Sequence, residues 1–210
     1  VAAVSVTGSE KAGSEVAQVA GKHLKKCVLE LGGSDPYIVL EDADLEHAAK
    51  TCAEFRLTNS GQSCIAAKRF IVVDAVFDKF QQLFLNEMKS KCMGNPRDLK
   101  TDVGPLARKD LRETLHKQVE QSIQQGAKLL LGGEVPTQKG YFYAPTVLSE
   151  VTSEMAVFKE ETFGPVAALV RAENEARAFE LANLSQYGLG GAIFSTDIER
   201  AQHLAETRLD

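Results

Sequence analysis

The sequence has 210 residues, 44% hydrophobic and 25% charged, with 24 basic against 29 acidic residues and a net charge of −5. This composition excludes a mainly disordered chain, and its acidic balance lacks the basic field that nucleic acid or an anionic membrane surface requires. No apolar run approaches the roughly 20 residues of a bilayer span, and at about 150 residues per domain the length allows about 1.4 domains.

The chain opens Val1-Ala2-Ala3-Val4, with neither Met nor a basic leader, which predicts a piece of a longer protein without a signal peptide. Val4 to Val6 reads as a strand, followed by Thr7-Gly8-Ser9 and a helix through Val16, Val19 and Ala20. Pro36 to Leu40 is the next strand. Asp42 and Asp44 can both cap the helix that carries Ala48, Ala49, Cys52 and Ala53. Arg69 to Val73 is a strand that feeds a helix with Val76, Phe77, Phe80, Phe84 and Met88 on one face. Leu111, Leu115, Val119 and Ile123 recur at fours on a further helix that stops at Gly126. Lys128 to Leu131 is a strand, and the aromatic run Tyr141-Phe142-Tyr143 packs or pairs at an edge. Pro165 to Arg171, a helix from Asn174 to Leu184, a strand from Gly191 to Ser195 and a helix from Ile198 to Leu209 complete the series. Strands alternating with helices predict an α/β fold with a largely parallel sheet flanked by helices.

Four segments could carry chemistry. Gly8 and Ser9 lie between a strand and a helix, where free N–H groups attract phosphate; an ordinary capped helix has the same appearance. In Leu29-Glu30-Leu31-Gly32-Gly33 an acid between leucines sits where a carboxylate could be partly desolvated, as suits a general base, but these residues alone favour a solvent-facing Glu in a strand. In Asn59-Ser60-Gly61-Gln62-Ser63-Cys64 a glycine-containing loop can present the thiol openly, with backbone N–H groups that could serve an oxyanion, although a free cysteine is more often a small buried hydrophobe. The other cysteines, Cys27, Cys52 and Cys92, read as small hydrophobes, and all four as free thiols of a reducing cytoplasm. No CxxC occurs and the four His lack ligand spacing, so no metal site is expected. Glu160-Glu161-Thr162-Phe163-Gly164-Pro165 offers a carboxylate for paired hydroxyls, such as those of a ribose, beside an aromatic surface.

Taken together and in this order, the four segments resemble the NAD(P)-dependent aldehyde dehydrogenase superfamily over the whole chain. Lys25 to Pro36 and Gly104-Pro105-Leu106-Ala107-Arg108 further resemble bacterial NAD-preferring succinate-semialdehyde dehydrogenases. The resemblance implies that Cys64 is the nucleophile, forming a thioester, and that its N–H holds the oxyanion. It implies that Glu30 activates the hydrolytic water, which argues against a CoA-acylating relative. Gly8, Ser9, Gly32, Glu161 and Phe163 would bind the cofactor, NAD or NADP with NAD favoured, and Gln62 would line the pocket as a positional residue. The substrate would be a small aldehyde and the parent protein a cytoplasmic homo-oligomer.

The same resemblance places residues 1–32 as the tail of a Rossmann-like cofactor domain and 33–210 as a C-terminally truncated catalytic domain. The oxyanion-hole Asn and the ribose-contacting Lys of the family would lie before Val1. Thr58 stands where some relatives carry a substrate-binding Arg, with Arg56 two residues away on another helix face. Ala66 stands where some relatives have a second cysteine. The alternative reading is a folded but inactive module, because the strand before Gly8 would lack sheet neighbours.

Overall fold

Runs of β-branched residues alternate with amphipathic helices in the computed structural model, which describes residues 1–210. Two compact units result, Val1–Gly33 and Ser34–Asp210. In the first, strands β1 (Ala3–Thr7) and β2 (Lys26–Glu30) pair in parallel, with Thr7 opposite Glu30. The connecting helix α1 (Glu10–Lys22) is capped by Ser9, whose hydroxyl accepts from the Ala12 N–H at 3.3 Å. Gly13 is required by packing: a Cβ there would lie 2.5 Å from a methyl carbon of Leu31.

The second unit is built on a six-stranded sheet of order β5-β6-β7-β4-β3-β8. Its strands are β3 (Pro36–Val39), β4 (Arg69–Val73), β5 (Lys128–Leu131), β6 (Thr146–Ser149), β7 (Val166–Ala172) and β8 (Ala192–Phe194). Only β5 runs antiparallel, to β6; the other pairings are parallel. Parallel strands buried on both faces need continuous apolar sequence, which Arg69-Phe70-Ile71-Val72-Val73 supplies almost throughout. Ile38, Ile71 and Val170 enter one core; Val39, Val72 and Leu169 enter the other.

Helices cover both faces. On one lie α2 (Leu45–Leu57) and α3 (Asp74–Ser90), the latter burying Phe77, Phe80, Phe84 and Met88 as its periodicity predicts. On the other lie α4 (Lys109–Gln124), α6 (Glu175–Asn183) and α7 (Ile198–Arg208), contributing Leu115, Val119, Phe179 and Leu204; the single-turn α5 (Ala156–Lys159) adds Val157 and Phe158.

Several expectations need correction. Asp44 alone caps α2, accepting from the His47 N–H at 3.1 Å, whereas Asp42 turns to the loop after β8 and accepts from the Ser195 hydroxyl at 2.6 Å. The strand expected from Pro165 starts at Val166, and that expected over Gly191–Ser195 shortens to Ala192–Phe194. Of the two alternatives for Tyr141-Phe142-Tyr143, packing holds and edge pairing does not: Phe142 and Tyr143 are buried, with the Tyr143 hydroxyl 3.1 Å from His116 Nδ1. The four-residue strand β6, which begins directly after Pro145, is not expected from the sequence.

Candidate active site

Because β3, β4 and β7 are parallel neighbours, the segments that enter them converge at one end of the sheet. These are Ser34-Asp35, the loop containing Cys64, and Glu161 to Pro165. In a parallel sheet, chemistry carried by loops is thereby collected without any strand having to bend.

Between α2 and β4 the backbone is strained. Asn59 and Ser60 take φ of 51° and 57°, left-handed values that cost a residue with a side chain free energy, and Gly61 follows at 76°. The surroundings hold this conformation. Ser60 Oγ accepts from the Gly104 N–H at 3.0 Å, and the Gln62 side-chain oxygen accepts from the Ala107 N–H at 2.8 Å. Gly61 passes so near the loop before β7 that a Cβ would lie 2.2 Å from the Gly164 carbonyl oxygen. The two segments singled out around Cys64 and Glu161 are therefore packed backbone to backbone.

Cys64 lies in a turn beyond this point, half-buried, followed by the exposed Ile65. Beneath the turn is a set of buried cations that sequence reasoning missed. Lys68 is fully buried, and its ammonium donates to the carbonyls of Ser63, Cys64 and Ala66 at 3.1, 2.9 and 3.0 Å. An ammonium has three N–H donors, so all are used. Its charge is offset by the Glu161 carboxylate at 3.9 Å. Burial, and then the nearby Arg56, lower the Lys68 pKa to about 8, while Glu161 opposes the shift.

Arg56, also fully buried, donates to the Gly61 carbonyl at 2.9 Å and to the Thr162 hydroxyl at 3.5 Å, tying the same two loops from behind. Burial brings its pKa down to about 9. It is thus occupied inside the protein, and Thr58 donates its hydroxyl to the Glu54 carbonyl. Arg69 donates to the carbonyls of Ser34, Leu181 and Ala182, closing the C-terminal end of α6, and lies 5.0 Å from the Phe158 ring centroid. Asp35, buried beside Lys68 and Arg69, has its carboxyl pushed above the ordinary range by burial, against the pull of both cations. The sequence signal for this set was basic residues inside an otherwise apolar stretch, Ala66-Ala67-Lys68-Arg69-Phe70-Ile71.

Glu160 and Glu161 diverge. Buried Gln118 of α4 donates to a Glu160 carboxylate oxygen at 2.8 Å and to the Glu161 backbone carbonyl at 3.2 Å, while the Glu161 side chain turns toward Lys68. Phe163 is half-buried.

The remaining residues of interest lie in the first unit. Gly8 donates its N–H to the Glu30 carbonyl at 3.0 Å, so strand pairing brings Gly8, Ser9 and Glu30 together. Glu30 is exposed, the solvent-facing strand position that its residues alone favour, and not the partly desolvated one that suits a general base: β2 alternates, and Lys26, Val28 and Glu30 share its exposed face. Gly32 follows in an irregular segment, half-buried. These residues fit parts of a dinucleotide. A Cβ on Gly8 would meet only the Ala12 Cβ, at 3.9 Å, leaving the start of the 13-residue α1 open to a phosphate. Glu161 retains a partly exposed carboxylate that can accept from hydroxyls. No group of His, Cys, Asp or Glu could hold a metal ion, and no helix is long and apolar enough to cross a membrane.

Comparison with known proteins identifies the family of the chain. The aldehyde dehydrogenase family model matches residues 1–208. The chain is 52% identical over 205 residues to the succinate semialdehyde dehydrogenase [NAD(P)+] Sad of Escherichia coli, covering 98% of this chain and 44% of that protein. It is 50% identical over 210 residues to the succinate-semialdehyde dehydrogenase [NADP(+)] of Deinococcus radiodurans, again covering 44% of the relative. Among solved structures, Gox0499 superposes with a TM-score of 0.96 at 44% identity, over all of this chain and 46% of the other. Betaine aldehyde dehydrogenase of Staphylococcus aureus in complex with NAD+ does so with 0.95 at 35% identity, over all of this chain and 42% of the other. The chain therefore spans less than half the length of these proteins.

Proposed function

This chain belongs to the aldehyde dehydrogenase family, and from that premise we propose that the protein oxidises an aldehyde, succinate semialdehyde foremost, to the carboxylic acid through a thioester on Cys64. The observation that carries the mechanism is the Cys64 turn: half-open above, and fixed below by three carbonyl hydrogen bonds to one buried ammonium. A nucleophile needs this combination of access and rigidity.

A bound NAD or NADP supplies the hydride acceptor, which no side chain can replace. Gly8, Ser9 and the start of α1 would hold its phosphates, with Gly32, Glu161 and Phe163 assigned to the nicotinamide and its ribose. Cys64 Sγ, as thiolate, adds to the aldehyde carbon, and the oxygen becomes an oxyanion that the Cys64 N–H can receive. After hydride loss the carbon is held as an acyl thioester. Glu30 takes a proton from water, the hydroxide adds to the thioester carbonyl, and expulsion of the thiolate releases the acid.

Two relatives named for succinate semialdehyde, at 52% and 50% identity, support that substrate. Comparing kcat/KM for succinate semialdehyde with an uncharged aldehyde of equal length tests it, and running both with NAD and with NADP tests the NAD preference. For the mechanism, Cys64→Ala in the full-length protein is expected to lower aldehyde oxidation at least ~1000-fold with cofactor affinity within about threefold. Retained turnover would rule out Cys64 as nucleophile.

A further inference from the structure

The buried ammonium under the nucleophile turn has a directional consequence. A trans peptide points its C=O and its N–H in opposite directions, and the chain has no cis peptide. With the Ser63 carbonyl drawn down to Lys68, the N–H of Cys64 must point up, away from the buried side. With the Cys64 carbonyl drawn to the same ammonium, the N–H of Ile65 must do likewise. The upper side carries the half-buried Cys64 and exposed Ile65, where a reacting carbonyl can approach. Lys68 itself cannot drift: its N–H and that of Arg69 both donate to the Asp35 carbonyl at 3.3 Å, and its own carbonyl accepts from Ala168 at 3.3 Å.

We propose that Lys68 is a positioning residue, which latches the carbonyls of the Cys64 turn and so keeps the Cys64 N–H aimed at the developing oxyanion. The proposal rests on the reading of Cys64 as nucleophile. It assigns no contact between Lys68 and substrate; Lys68 acts through peptide planes 63–64 and 64–65. The pairing with Glu161 serves the latch by compensating, together with the buried Asp35 carboxyl, a charge that is costly to bury. Met replaces the Lys stem up to the ε position and has no donor, and an arginine fork is planar where three carbonyls converge on one point.

In the full-length protein, Lys68→Met is expected to lower the single-turnover rate of NAD(P)H formation ~100-fold or more, the loss seen when one oxyanion donor is removed. Alkylation of Cys64 by iodoacetamide, which forms no oxyanion, is expected to fall less than about tenfold, the part due to losing a cation near the thiolate. Lys68→Gln, which keeps two N–H donors for the same carbonyls, is the variant to use if the methionine side chain prevents folding; its rate is expected between those of Lys and Met. An equal loss in turnover and alkylation would overturn the proposal in favour of thiolate stabilisation, and so would a wild-type turnover rate in either folded variant. Failure of the underlying reading is separable: there Cys64→Ala stays active, whereas failure of the latch alone leaves Cys64→Ala dead and Lys68→Met fast.

Discussion

Residues Val1–Gly33 and Ser34–Asp210 both carry candidate site residues, but they hold them in different ways. In the small unit a two-stranded sheet and one helix bury almost nothing: Val19 and Val28 are each more than half exposed. In the large unit, β4 beneath Cys64 is buried throughout and β7 beneath Glu161 at every residue but Arg171, and the loops above them are tied by Arg56, Lys68 and Gln118. Backbone pairing alone sets Gly8 and Glu30, whereas buried polar side chains set Cys64 and Glu161. The lesson is that position along a motif does not reveal how firmly a residue is held.

The comparison breaks most sharply under truncation. Phe80→Ala, at a fully buried site stacked on Phe84, is expected to cost about 3–5 kcal/mol, while Val28→Ala in the small unit is expected to stay within about 0.5 kcal/mol; urea midpoints with unchanged slope measure both. Glycine substitutions sharpen it at the site. Gly61→Ala meets a left-handed backbone and the Gly164 carbonyl, and is expected to cost upward of ~2 kcal/mol and to depress turnover. Gly8→Ala, with open space around it, is expected to leave the melting temperature nearly unchanged.

A smaller effect is read from pH. Lys68 is held at about 8 against an ordinary 10.5, so between those values the unfolded chain binds more protons at this site than the folded one. Its contribution to stability therefore rises with pH across that window, and below about 8 the cost of the buried charge is constant. The stability difference between wild type and Lys68→Met is expected to grow in favour of wild type from pH 8 to 10. A flat difference would contradict the buried charge.

Much of the fold was legible because periodicity reports burial directly. Phe77, Phe80, Phe84 and Met88 announced α3, and Gly126 ended α4 as expected. Strand β6 was missed because four residues after a proline carry too little pattern. Asp42 and Asp44 both satisfy a capping rule, and only the position of Ser195, 153 residues later, decides between them. The order of motifs pointed to Cys64, Glu30 and Glu161, but not to the exposure of Glu30, which follows from strand alternation. Nor did it assign roles to Arg56 and Lys68: a basic residue in an apolar stretch signals burial, but the Glu161 and Thr162 partners that make the burial possible lie about a hundred residues away.

The central claim is that Cys64 carries the acyl group. In the full-length protein with Glu30→Gln, which slows water activation, peptide mapping by mass spectrometry after acid quench during aldehyde turnover tests it most directly. The account predicts an acyl mass on the peptide containing Cys64 and on no other. An adduct on Cys27, Cys52 or Cys92, with Cys64 unmodified, would contradict it.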